Sequence, residues 1–317
     1  MTKVYSTFRG ALCALALLIC ITTYASSAEA QGVLRFVATT GNDANNCLRT
    51  TPCRSIQRGV ESAPAGAEVI MLDSGGYGPT VTIDKSITIT APSGVAATIA
   101  TPSGTSITVT AGNVVLRGLT LIGQGTGETG INYSGTGSLS VENCILNGFT
   151  ESGINSSGTA LFVKNTTIRN GGLDGIKINA GLATIDNCRI ERNGPDATPT
   201  SASGGYGIYA VGNSRVMVRN TVAASNGIGF VAEDNAVLNA ENCVATNNTA
   251  VGFRVGGGEV GVASTMRVSN SVATNNGTGF QQFVTTTGSG TFESRENNTV
   301  RGNTTEAAGV ITGIPGT

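Results

Sequence analysis

LSVENCILNGFTESGIN (139–155) and ALFVKNTTIRNGGLDGIKIN (160–179) are two copies of one pattern. Each runs through two apolar residues spaced two apart (Leu139 and Val141; Leu161 and Val163), a charged residue, an Asn, a second pair spaced two apart, and a Gly-Ile step. Outward from these copies the Asn recurs at Asn143, Asn165, Asn187, Asn220, Asn242, Asn270 and Asn297, with spacings of 22, 22, 33, 22, 28 and 27 residues. The Gly step recurs before Ile131, Ile154, Ile176, Ile208, Phe230, Phe253 and Phe280. A unit near 22 residues that grows only by whole insertions is the signature of a stacked solenoid.

The alternation inside a unit fixes its form. Leu116, Val141, Val163, Ile185 and Val218 precede the corner by two residues, and Cys144, Thr166 and Cys188 follow the Asn by one. A period of two means strands with one buried face. Asn tolerates the left-handed backbone of a sharp corner, and its amide can bond the next turn. A third strand starts at the Gly-Ile step, and no room is left for a helix. The expected fold is all-β: a parallel β-helix with three strands per turn and about ten turns. Asn143, Asn165, Asn187, Asn220, Asn242 and Asn270 are expected to form a structural ladder at one corner.

With these repeats the chain resembles the right-handed parallel β-helix proteins of the pectate-lyase-like superfamily. The start of the chain adds to the likeness: a strand at Arg35–Val37, a TGND loop (40–43), then PCRSIQRGV (52–60). Ile56 and Val60 lie on a short amphipathic helix closed by Pro64 and Gly66, which suits a cap on an exposed solenoid end.

Residues 1–30 have the form of a secretory signal peptide, with Lys3 and Arg9 ahead of an apolar run from Ala11 to Ile21 and a small-residue site at Ala28-Glu29-Ala30. The run is too short for a bilayer span and no later segment is long enough. The expectation is an exported protein, periplasmic or extracellular, beginning near Gln31. A lipidated Cys20 fits less well, because Leu18-Ile19 lacks the small residue such sites place before the Cys. The remaining organisation is a cap over 31–66, the β-helix over 67–310 and a tail over 311–317. Of seven cysteines, Cys13 and Cys20 leave with the leader. Cys47 and Cys53 bracket a short loop and are expected to form a disulfide. Cys144, Cys188 and Cys243 share one inward place two turns apart, roughly 9–10 Å, which is too far for a bridge.

A formal net charge of −1 with 12 % charged residues argues against a nucleic-acid partner. The residues before the corner, Arg117, Glu142, Lys164, Asp186, Arg219 and Glu241, alternate in sign. Alternation neutralises the row, so a register-fixing ladder fits it better than a track for an ionic polymer.

Chemistry is sparser. The resembled polygalacturonases and alginate epimerases use a His, and this chain has none. The resembled pectate lyases hold calcium on acidic residues and deprotonate the sugar with Arg or Lys. The counterparts to consider are Glu151 and Asp174 as metal ligands, with Glu128 one turn earlier, and Lys177 as base. Two such carboxylates can also form a hydrolase pair. The outward row of the third strand is Asn132, Asn155, Lys177, Tyr209, Val231, Arg254 and Gln281. Of these, Asn132, Asn155, Lys177, Tyr209 and Arg254 have the chemistry to bind sugar hydroxyls and rings. Insertions at 195–206 and 256–264 are placed to wall such a face. The leading expectation is an exported scaffold that binds a polysaccharide or cell-surface polymer without a cofactor. The alternatives are a calcium-dependent polysaccharide lyase and a structural rod that pairs with another protein.

Overall fold

A computed structural model of the protein describes residues 33–194, 205–257, 263–284 and 289–315. The leader expected over 1–30 and most of the two insertions lie outside the described residues. From Leu34 onward the chain forms one compact unit. Every pairing between its strands is parallel, as in Val163 with Val141 below and Ile185 above.

Each turn contributes three strands. The strands after the corner Asn stack into a ten-stranded sheet, one per turn, which gives the expected turn count. The other two faces merge into a twenty-stranded sheet, because Thr105–Arg117 and Thr129–Glu142 run around a corner without a break. The earlier, less regular segments take their places as Ala67–Met71, Val81–Ile83, Ile87–Thr90 and Ala97–Ala100. At the far end Ile311–Ile314 pairs with Ser289–Arg295, one turn earlier, and extends the stack.

The corner Asn residues behave as their chemistry predicts. Asn143, Asn165, Asn187, Asn220, Asn242 and Asn270 all have φ between 47° and 54°. Their amides join neighbouring turns: Asn165 Nδ2 donates to Asn143 Oδ1 at 3.1 Å and Asn187 Nδ2 to Asn165 Oδ1 at 2.8 Å. Asn220 donates instead to the Asp186 carboxylate at 2.8 Å. This column is exposed to solvent.

A second Asn ladder lies inside, six residues further on, at Asn193, Asn226, Asn248, Asn276 and Asn303. Asn193, Asn226, Asn248 and Asn276 are buried. Each of these four donates its backbone N–H to the Oδ1 of the Asn in the next turn at 3.0 Å. The Nδ2 of Asn226, Asn248, Asn276 and Asn303 reaches the carbonyls of Ile190, Ala223, Ala245 and Ala273. The Asn backbone N–H groups stand at a bend past the strand ends, so the side chains satisfy buried donors that are cut off from water.

The third strand follows. Its opening glycines are required by space: a Cβ at Gly207 or Gly229 would lie 2.6 Å from the carbonyl oxygen of the Gly one turn on. The inward row, Ile131, Ile154, Ile176, Ile208, Phe230, Phe253 and Phe280, is fully buried. Phe230 and Phe253 stack face to face with centroids 4.6 Å apart. Cys144, Cys188 and Cys243 are free and buried, alternating with Thr166 and Thr221 in the column. Burial pushes the thiols of Cys144 and Cys188 up to about 11 and that of Cys243 to about 12.

At the start of the stack, Leu34–Val37 pairs with Ala67–Met71, and the helix Ile56–Ser62 buries Ile56 and Val60 beside it. Ser55 caps the helix by accepting the Arg58 N–H. Cys47 and Cys53 form the expected disulfide.

Candidate functional site

Consecutive third strands bring the outward row into one column. Asn132, Asn155, Lys177, Tyr209, Val231, Arg254 and Gln281 are successive register partners. At its first end the amides are linked: Asn155 Nδ2 donates to Asn132 Oδ1 at 3.2 Å, and Asn179 Nδ2 to Asn155 Oδ1 at 2.8 Å. These bonds hold the amides in fixed orientations while each stays partly exposed. Next, the Lys177 ammonium lies 5.5 Å from the centre of the Tyr209 ring.

Further along, the column differs from the sequence expectation. Val231 is 0 % and Arg254 only 4 % exposed, so neither presents itself to solvent. The reason is local packing. Tyr206, Ile228, Val231, Ala250 and Val251 form a small apolar cluster with Tyr209 against it, separate from the main core. Arg254 is ion-paired with Glu233, donates to the Tyr206 hydroxyl at 3.2 Å, and lies over the rings of Tyr206 and Phe283. Its role is therefore one of support from beneath rather than direct contact.

Glu233 is the residue that ties the two ends together. Besides Arg254 it accepts a hydrogen bond from the Tyr209 hydroxyl at 2.9 Å. The Tyr206 and Tyr209 rings meet edge to face at 4.7 Å, and the Tyr206 N–H donates to Asp174 Oδ1 at 3.2 Å. Asp174 is buried, and that burial pushes its carboxyl up to about 6. The Tyr206 N–H and the Lys177 charge pull the other way, and Glu233 adds repulsion. Burial likewise raises both phenols, with Glu233 adding to the rise at Tyr209. Taking an ion pair out of water costs several kcal/mol unless its remaining groups are bonded. Here the tyrosine hydroxyls share in that bonding, and the outcome is a rigid polar group under Lys177 and Tyr209.

The acidic residues proposed as metal ligands separate. Their backbones stack, with Glu151 N bonded to Glu128 O and Asp174 N to Glu151 O. Their side chains do not share an environment: Glu128 and Glu151 are exposed, whereas Asp174 turns inward to the Tyr206 N–H. Calcium takes six to eight oxygens. Among the described residues no three of His, Cys, Asp and Glu gather closely enough to hold a metal. Glu151 with Asp174 does not fit that ion.

Tyr206 and Glu233 go unused in the sequence reading. Glu233 keeps the same parity as Val231 on one strand exit, a signal that was there to follow. The burial of Arg254 was not, because it depends on Tyr206 and Phe283, far away in the chain.

A family model described as "Right handed beta helix region" matches residues 129–305. No curated protein matches the sequence. Among solved structures, the chain is similar to pectate lyase Pel9A at 16 % identity, with 89 % of this chain and 76 % of that one covered and a TM-score of 0.51. It is similar to XylC, solved in complex with xylose, at 11 % identity over 84 % and 70 % of the two chains, with a TM-score of 0.62. It is also similar to the Dettilon tailspike protein at 12 % identity over 83 % and 56 %, with a TM-score of 0.59. At these identities the likeness is one of fold. Among the described residues no helix is long and apolar enough to cross a membrane.

Proposed function

This chain belongs to the right-handed β-helix family, and from that premise we propose an exported scaffold that binds a polysaccharide or related surface polymer along its third-strand face. The contact residues are Asn132, Asn155, Lys177 and Tyr209. One observation carries the reading: these four partly exposed side chains stand on successive turns, at a rise of roughly 4.8 Å, with the two amides linked to one another and Lys177 and Tyr209 set against the buried Asp174–Tyr206–Glu233–Arg254 group. Amides donate to and accept from hydroxyls, the ammonium meets carboxylate or hydroxyl oxygens, and the phenol ring offers a stacking face. The packing beneath fixes the geometry before a ligand arrives, which reduces the ordering cost of binding. The carbohydrate names among the structures of similar fold supply the ligand class to test. Uronate and neutral oligosaccharides on an array, followed by calorimetry, are expected to show binding that Asn155→Ala and Lys177→Ala each weaken about tenfold, equal to about 1.4 kcal/mol. Unchanged affinity in both variants sinks the reading.

A second reading is favoured by Asp174. Burial raises its carboxyl to about 6 while the Lys177 amine acts on it electrostatically, which brings a carboxyl that titrates near neutral pH close to a candidate base. On this reading the enzyme is a polysaccharide lyase: the uncharged Lys177 amine takes the proton next to a uronate carboxyl group, the electron pair becomes the new C=C bond, and the glycosidic oxygen leaves with a proton from solvent. Lyase action leaves an unsaturated product that absorbs in the ultraviolet. Lys177→Ala should abolish that signal, and its persistence would remove Lys177 as the base.

A further inference from the structure

The face formed by the strands before the corner carries a surface that the polymer reading does not use. Its charged column is in register over six turns: Arg117 beside Glu142, then Lys164, Asp186, Arg219 and Glu241. Of these neighbours, Arg117 and Glu142 close to an ion pair at 3.0 Å, while Asp186 accepts from Asn220. Lys164, Arg219 and Glu241 are exposed. The adjacent outward columns hold large apolar side chains that a solvated face does not need: Phe162 is 46 %, Leu182 60 % and Met217 38 % exposed.

The geometry points to a second copy of this chain as the occupant, docked antiparallel about a two-fold axis that lies in the interface, runs along the strands, and passes between the turns of Lys164 and Asp186. Such an axis reverses the order of turns and keeps each column opposite itself. An alternating row with an even number of members is then self-complementary. Lys164 faces the second copy's Asp186, Glu142 its Arg219, and Arg117 its Glu241. The same operation matches size. Phe162 faces Thr184, Leu182 faces Ala160, and Met217 faces Ser140, so each large side chain meets a small one. One turn beyond on either side, Thr90 faces Ser269, and the charge pattern closes with two neutral hydroxyls. A parallel two-fold would instead place like charges opposite each other at every turn.

Eight turns at ~4.8 Å and five strand residues at ~3.3 Å cover roughly 630 Å² per copy. The total is about 1,250 Å², at the lower edge of the size range of specific interfaces. A closed isologous pair of this size is expected to be weak and sensitive to salt.

Sedimentation velocity of the purified chain over a concentration series tests this. The wild type is expected to form a dimer at low ionic strength that loosens at least tenfold in high salt. Lys164→Glu alone and Asp186→Lys alone should each weaken self-association tenfold or more. An equimolar mixture of the two single variants should recover a dimer, because each supplies what the other lacks. The double variant Lys164→Glu/Asp186→Lys separates this role from a ladder within one chain. It sets like charges beside Glu142 and Arg219 inside the molecule, yet keeps opposites across the two-fold, so it should dimerise within about threefold of wild type. Circular dichroism of each sample checks that the β structure is retained. A wild type that stays monomeric at high concentration and low salt overturns the proposal. So do single variants that dimerise as tightly as wild type, or a mixture that does not recover.

Discussion

Replacing Asn248 by Ala removes one rung of the buried ladder, and the structure sets the size of the effect. Asn248 Oδ1 accepts from Asn226 N at 3.0 Å and from Asn226 Nδ2 at 3.3 Å. Its Nδ2 donates to Ala223 O at 3.1 Å and to Asn276 Oδ1 at 2.9 Å. The side chain is 1 % exposed, so water cannot replace it. Four bonds at about 0.5–1.5 kcal/mol each give about 2–6 kcal/mol, and the Asn226 N–H left without a partner costs about 1–3 kcal/mol on its own. The expected loss is therefore about 4 kcal/mol. Asn242, on the exposed corner, is the control. With φ at 53° it is kept for its backbone conformation. Asn242→Ala should cost about 1 kcal/mol and Asn242→Gly almost nothing, whereas Asn248→Gly should cost as much as Asn248→Ala. Guanidinium unfolding followed by far-ultraviolet dichroism and tyrosine fluorescence measures this, with coincident curves required before a free energy is drawn. A loss below about 1 kcal/mol for Asn248→Ala, or one no larger than for Asn242→Ala, refutes the reasoning.

Other consequences follow from the buried acid and thiols. The Asp174 carboxyl is raised from 3.8 to about 6, so between these values the folded chain holds a proton that the unfolded chain has released. Stability therefore falls as pH rises through that window, by up to about 3 kcal/mol for a shift of this size. Asp174→Asn should flatten that part of a urea-stability profile, and an unchanged slope counts against the assignment. Cys144, Cys188 and Cys243 should resist a thiol reagent at pH 8 in the folded protein and react together once it is unfolded. Rapid reaction of the native protein would show that the column is open to solvent.

Much of the fold was legible because its signals are local and repeated. Val163 and Leu161 fix a face, Asn165 a corner, and the recurrence of both fixes the stacking. The inner ladder was just as regular. Asn193, Asn226, Asn248, Asn276 and Asn303 each follow a corner Asn by six residues, but runs such as Asn247-Asn248 and Asn275-Asn276 hide which amide turns inward. Only geometry separates Asn247, exposed at φ 55°, from its buried neighbour. The site was legible in its column and not in its depth. Register placed Lys177 beside Tyr209, as alternation requires, yet nothing near Arg254 in sequence announces that Tyr206 and Phe283 will cover it. The pairing of Glu151 with Asp174 failed for a related reason. An offset of one residue before the Gly step sends one carboxylate outward and the other in.

Hydrogen exchange with and without a bound oligosaccharide tests the assignment of the third-strand face most directly. A panel of oligogalacturonate, alginate and xylan fragments supplies the probes, and exchange is read peptide by peptide. Binding should slow exchange in segments containing Asn132, Asn155, Lys177 and Tyr209, and leave the strands that carry Phe162 and Met217 unchanged. Protection that falls on those strands instead, or a panel in which no fragment binds, would contradict the account.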